Sequence, residues 1–184
     1  MSIYMLTSEE IDFNRHEIES LLKSVDRKGI DSVLHYLAIN GFYEVPSSLH
    51  RHHNWRGGLA QHCLGVYQKA VEMSLELPKD SLIIASILHD ICKTRKYFYD
   101  KNGDVHHRYT HIRGHGYRSV KILELCGLEL TDDERRAIRW HMGGHHALDI
   151  DKSEIAIARQ TKLWLVVHEA DKLDAKNGKS IMNF

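Results

Sequence analysis

The chain has 184 residues, enough for one domain with a real hydrophobic core. Its 25 Lys and Arg balance 25 Asp and Glu, so no global field advertises a polyanionic partner, and any nucleic-acid contact would have to come from a local basic patch. The unusual statistic is histidine, at 15 residues, more than a purely structural domain needs. The cysteines Cys63, Cys92 and Cys126 are scattered and odd in number, and the first two fall inside apolar helical patterns, which suits free thiols in a reducing, cytoplasmic setting. The opening residues carry no signal-peptide pattern, and no segment is apolar enough to span a bilayer.

In chain order, Thr7-x-x-Glu10 is a capping box, and Ile11, Ile18, Leu21 and Leu22 form the stripe of a first helix. A second helix is expected from about Gly29 to Asn40, stopped by Gly41, and residues 1–45 read as scaffold. The stretch from Tyr43 to Gly58 is irregular and chemically rich, with His50, His52, His53, Arg51, Arg56 and Trp55; it is either a functional loop or a solvated one with a histidine pair by chance. The next helix is expected from Leu59 to about Leu77, with His62 beside its apolar face and Pro78 blocking continuation. Asp80 and Ser81 are expected to cap a helix that runs through an apolar stretch and ends abruptly at His89-Asp90, with Lys93 beyond. Around residues 96–110, Asn102-Gly103 between aromatic and β-branched runs predicts one short β-hairpin lying against the body. A helix follows from about Gly116 to Leu125. Thr131-x-x-Glu134 caps another that ends near His141. A last long helix is expected from Ser153 to Ala175, with Ile157, Leu163, Trp164, Val167 and Ala170 inward. The fold class is therefore all-α, a compact single-domain helical bundle with one hairpin.

Ligand-type residues recur beside apolar faces: His62, His89, Asp90, His115, His141 and Asp171, separated by 27, 1, 25, 26 and 30 residues. Each long gap is about one helix plus its connection, so successive helices can bring them into one cleft. A buried carboxylate needs a partner or a metal. A first ion could take His62, His89, Asp90 and Asp171, and a second could take His115 and His141 while sharing Asp90. This donor set suits divalent ions: manganese, iron, nickel, zinc, cobalt or magnesium. Taken singly, His62 also reads as a satisfied core histidine and Lys93 as a solvated helix-end lysine.

The pattern His62, then His89-Asp90, then Asp171 resembles the signature of the HD-domain superfamily of metal-dependent phosphohydrolases, and His115 and His141 resemble its six-ligand, two-metal subset. The segments from Arg56 to His62, from His89 to Lys93 and from His168 to Ala175 are similar in wording to the HD domains of bacterial 3′–5′ exoribonucleases, and the resemblance covers about residues 50–176. No OB-type nucleic-acid domain precedes it, a departure that counts against an RNA substrate. The resemblance implies hydrolysis of a phosphomonoester, a phosphodiester or a nucleotide by metal-activated water. Asp90 and Lys93 would be catalytic, Arg56, Lys93, Arg113, His145 and His146 would meet the substrate, and His168 and Asp174 would support the ligands. Two other readings stay open: a mixed-valent di-iron oxygenase and a non-catalytic nucleotide sensor.

Overall fold

The computed structural model describes residues 6–108, 114–144 and 151–180. Arg113, His145 and His146 lie outside the described residues. The described chain forms eight α-helices and one two-stranded hairpin, and it is an all-α protein. The helices are α1 (Ser8–Lys23), α2 (Ile30–Ile39), α3 (Gly58–Met73), α4 (Lys79–Leu88), α5 (His115–Leu125), α6 (Asp132–Trp140), α7 (Lys152–Ala158) and α8 (Lys162–Ser180), with a 3₁₀ turn over Ile91–Arg95. None of the helices among the described residues is long and apolar enough to cross a membrane.

The core gathers where α3 packs on α4 and α8, with α6 closing against α4 and α8. In α4 every residue from Ser81 to Leu88 is buried, because helices surround it on all sides. α1 and α6 begin at the expected capping boxes, each closed by the threonine hydroxyl and the glutamate three residues on. The hairpin strands β1 (Tyr97–Tyr99) and β2 (Val105–His107) pair antiparallel, setting Tyr97 against His107 and Phe98 against His106. Gly103, at φ 87°, takes the left-handed position of the turn, and Asp100 Oδ1 accepts from the N–H groups of Asn102 and Asp104. Tyr97 is buried and Tyr99 donates its hydroxyl proton to Glu44 O at 3.1 Å, which anchors the hairpin to the helical body.

Three expected boundaries move. α3 stops at Met73 rather than near Leu77, because Ser74 leaves the helix (φ −158°, ψ 88°) while its N–H still bonds to Ala70 O and Val71 O. α4 begins directly after Pro78 with no side-chain cap. The Ser81 hydroxyl expected to cap it donates instead to Glu134 Oε1 at 2.7 Å. The long final helix is two helices. The N–H groups of Arg159, Gln160 and Thr161 turn back to close α7, and Thr161 Oγ1 accepts from Trp164 N–H to start α8. Ile157, expected inward, is exposed, and Ile155 and Ala158 face the core.

Glu134 is fully buried and joins three parts of the bundle. It accepts from Arg27 Nη1 at 2.5 Å, from Thr131 N–H at 2.9 Å and from Ser81 Oγ. Burial pushes its carboxyl pKa up, but the Arg27 and Ser81 bonds outweigh it and hold the group below the usual carboxylate range. Its stabilising contribution is therefore complete above the ordinary glutamate range and disappears as the pH falls through the depressed folded value. Glu134→Ala leaves Arg27 without its buried partner, and we expect a loss of about 3–5 kcal/mol in urea unfolding at neutral pH. A loss under about 1 kcal/mol would show that solvent replaces the carboxylate there.

Candidate metal centre

Each donor is delivered where a helix is anchored. His89 is the α4 C-cap residue, and Asp90 comes next, at the head of the 3₁₀ turn. His89 Nδ1 donates to Ser86 O at 2.7 Å, which aims Nε2 inward. His141, the α6 C-cap residue, repeats this with Ile138 O at 2.7 Å. On α3, His62 Nδ1 donates to Asp174 Oδ2 of α8 at 2.7 Å. Backbone or carboxylate bonds therefore fix all three rings with Nε2 toward the same space, the way metal-binding imidazoles are held.

The inward atoms converge. His62 Nε2 lies 3.1 Å from Asp171 Oδ1 and 4.0 Å from Asp90 Oδ2. His89 Nε2 lies 3.3 Å from Asp90 Oδ2 and 3.9 Å from Asp171 Oδ1. His141 Nε2 lies 3.6 Å from Asp90 Oδ1. Two sets, His62–His89–Asp171 and His89–Asp90–His141, each place their donor atoms within 4.8 Å of one another. His62 Nε2, His89 Nε2, His141 Nε2 and Asp90 Oδ1 are all buried without a hydrogen-bond partner. Buried polar atoms are rarely left so, and four converging on one space fit a cation.

The electrostatics agree. Burial raises the Asp90 carboxyl pKa, but the Lys93 ammonium and His89 outweigh it and keep Asp90 ionised. Asp171 is depressed in the same way, mainly by His62 against its own burial. Burial pulls His62 down, while Asp171 and Asp174 together lift it to about 9. A proton on His62 thus competes with a cation for the same lone pair. His141 is pushed down by burial, which leaves it neutral and able to coordinate.

Around this set, Lys93 donates to Asp90 Oδ2 at 2.5 Å and to Ser47 Oγ at 3.3 Å, and its side chain is only 12 % exposed. Lys69 donates to Asp174 Oδ1 at 2.8 Å. His168 Nδ1 donates to the carbonyl of His141 and its ring stacks on Trp164. His115 belongs to neither donor set; its Nδ1 lies 3.9 Å from Cys92 Sγ, and burial lowers its pKa to about 4. Arg56 is at the surface, with Nε on Glu44 Oε2 at 2.6 Å.

Sequence alone leaves the loop histidines either functional or solvated. The structure seats His52 and His53 against His62, with ring centroids 4.6 and 5.3 Å away. The close backbone approach that the glycine pair suggested is real: a Cβ on Gly58 would sit 2.1 Å from His53 O. A Cβ on Gly178 would sit 2.5 Å from the His53 ring, and one on Gly65 would sit 2.3 Å from Asp174 Oδ1. Glycines in α3 and α8 thus leave the room that the His53 ring and the Asp174 carboxylate occupy.

Comparison with known proteins agrees with this geometry. Over 141 residues the chain is 26% identical to the dihydroneopterin 2′,3′-cyclic phosphate phosphodiesterase of Methanocaldococcus jannaschii, a match covering 72% of this chain and 52% of the relative. The chain thus spans about half the length of that protein. No solved structure matches. The HD domain family matches residues 59–176, from the start of α3 through most of α8, and with His62, the His89-Asp90 pair and Asp171 inside that span, the chain belongs to the HD domain family.

Proposed function

We propose that the protein is a metal-dependent phosphohydrolase acting on a small phosphate ester, with His62, His89, Asp90, His141 and Asp171 holding one or two divalent ions. The observation that carries this is the group of four buried, unpartnered donor atoms facing one space beside the half-buried Lys93. A divalent ion held there supplies a Lewis acid that draws a phosphoryl oxygen and lowers the pKa of water to about 7. The protein's own part is positioning. Asp90, between His89 and His141, presents one oxygen to each donor set. Lys93 keeps its ammonium at the same carboxylate and can turn one N–H to a non-bridging oxygen as charge builds there. To His115, whose Nδ1 lies 3.9 Å from the sulfur of Cys92, we assign contact with substrate or with an outer ion.

Beside Cys92 opens a groove of about 410 Å³ whose lining includes Tyr36, Arg95, Arg108, Tyr117 and Lys121. Cations and aromatic faces at that edge suit the anionic, ring-bearing body of a nucleotide-like ester. The cyclic phosphodiester named in the archaeal relative is a substrate of this class, and we place it first among those to try.

The test is elemental analysis of the purified protein, then a panel with added Mn²⁺ covering phosphomonoesters, 2′,3′-cyclic phosphates, deoxynucleoside triphosphates and cyclic dinucleotides. Expected are a bound divalent ion and chelator-sensitive release of phosphate or ring opening; a protein with no metal and no turnover on any ester overturns the proposal. In Lys93→Ala we expect full metal content with hydrolysis slowed about 10²–10³-fold. An unchanged rate removes Lys93 from the chemistry.

A further inference from the structure

His52 and His53 belong to none of the ligand positions assigned above, yet their arrangement is built. His53 has φ 49°, the one non-glycine residue in the left-handed region among the described residues. A backbone held in that region costs energy that surrounding contacts must impose. Here those contacts are Trp55, whose ring lies 5.2 Å from His53, and the two glycines, Gly58 and Gly178, that leave space for His53. The loop is thus forced into the shape that brings His53 to Asp174, with Nε2 3.5 Å from Oδ2.

The hydrogens then follow one from the next. His53 is buried and His52 half-buried, surroundings that favour the neutral imidazole over the charged one. A neutral imidazole carries one N–H. The Asp174 carboxylate calls for it on His53 Nε2, which leaves His53 Nδ1 an acceptor. That atom lies 3.2 Å from His52 Nδ1, so His52 must be the donor of the pair. His52 Nε2 is left as a bare lone pair, the same state that Asp174 directly and the helix carbonyls impose on the ligand rings His62, His89 and His141.

We propose that His52 is a further metal ligand of this centre, supplied by a loop rather than a helix, with His53 as its positioning residue through Asp174. This rests on the metal-centre reading given above. Donor atoms of His52, His53 and His62 already lie within 4.8 Å of one another. The His52 and His62 ring centroids stand 4.6 Å apart, near enough for two imidazoles to share one ion. Asp174 then governs two ligands at once, His62 directly and His52 through His53.

The test is cobalt(II) substitution of the full chain, read by visible absorption and by competition with a chelator, in wild type, His52→Ala, His53→Phe and the exposed control His50→Ala. For His52→Ala we expect cobalt affinity about 10–100-fold weaker and a changed ligand-field band; His53→Phe weakens affinity in the same direction, and His50→Ala matches wild type. Thermal unfolding with and without cobalt separates ligation from folding, because a lost ligand shrinks the rise in Tm that cobalt gives, whatever the starting Tm. Wild-type cobalt affinity and an unchanged band in His52→Ala would overturn this proposal and leave the metal centre standing. A wild-type protein that binds no cobalt would overturn both.

Discussion

An Asp90→Asn variant is expected to retain less than about a tenth of the wild-type metal and to hydrolyse phosphate esters at least about 10³-fold more slowly. Asp90 stands within 3.3 Å of His89, 3.6 Å of His141 and 4.0 Å of His62, so one carboxylate serves both donor sets. The amide keeps the shape and loses the charge. It also removes the partner of Lys93, an ammonium whose positive form is sustained, against its burial, chiefly by Asp90. Stability should fall along with metal content, by about 3–5 kcal/mol. The double variant Asp90→Asn with Lys93→Met separates the two effects. It removes the uncompensated charge, so it should regain most of the lost stability and none of the metal. Wild-type metal content in the single variant would remove Asp90 from the centre.

Asp174→Ala should weaken metal binding by about 10–100-fold while leaving every direct ligand in place. Asp174 is buried and accepts from His62 Nδ1 at 2.7 Å and from Lys69 at 2.8 Å. Without it the His62 ring can turn, and its proton is free to sit on either nitrogen. The His62–Asp174 bond also holds α3 to α8 at the centre of the fold, so unfolding should become easier by about 3 kcal/mol. Asp174→Asn, which still offers a carbonyl oxygen to His62, should lie between the two. Chelator competition and urea unfolding read these separately, and an alanine variant that binds metal like wild type would show that packing alone orients His62.

Much of the fold was legible in the sequence because it is written locally. The capping boxes at Thr7 and Thr131, and Asn102-Gly103 at the turn, act within four residues and appear as expected. The helix-per-gap spacing of His62, His89, Asp90, His115, His141 and Asp171 also anticipated the convergence of all but His115, which joins neither donor set, since a bundle has few ways to pack helices of that length. What failed depends on distant contacts or on breaks that carry no strong local signal. Ser81 is claimed by Glu134, 53 residues away, and so does not cap α4. The break between α7 and α8 has no proline or glycine to announce it, only a threonine that can start a helix. His52 and His53 were visible as a histidine pair, but nothing local says that the loop folds back on α3. The signal was in the glycines: Gly58 follows the pair closely, and Gly65 and Gly178 lie inside helices where alanine would be the better former.

Those two intrahelical glycines set a limit on how the protein can be improved. Replacing a helical glycine with alanine is a routine stabilising step, worth about 0.5–1 kcal/mol where the space is open. At position 65 the added methyl meets the carboxylate that orients His62, and at position 178 it meets the ring of His53. An engineering campaign ranking sites by helix propensity would choose both and crowd the proposed metal centre each time, so the most tempting thermostabilising changes in α3 and α8 are the ones to leave out of a library.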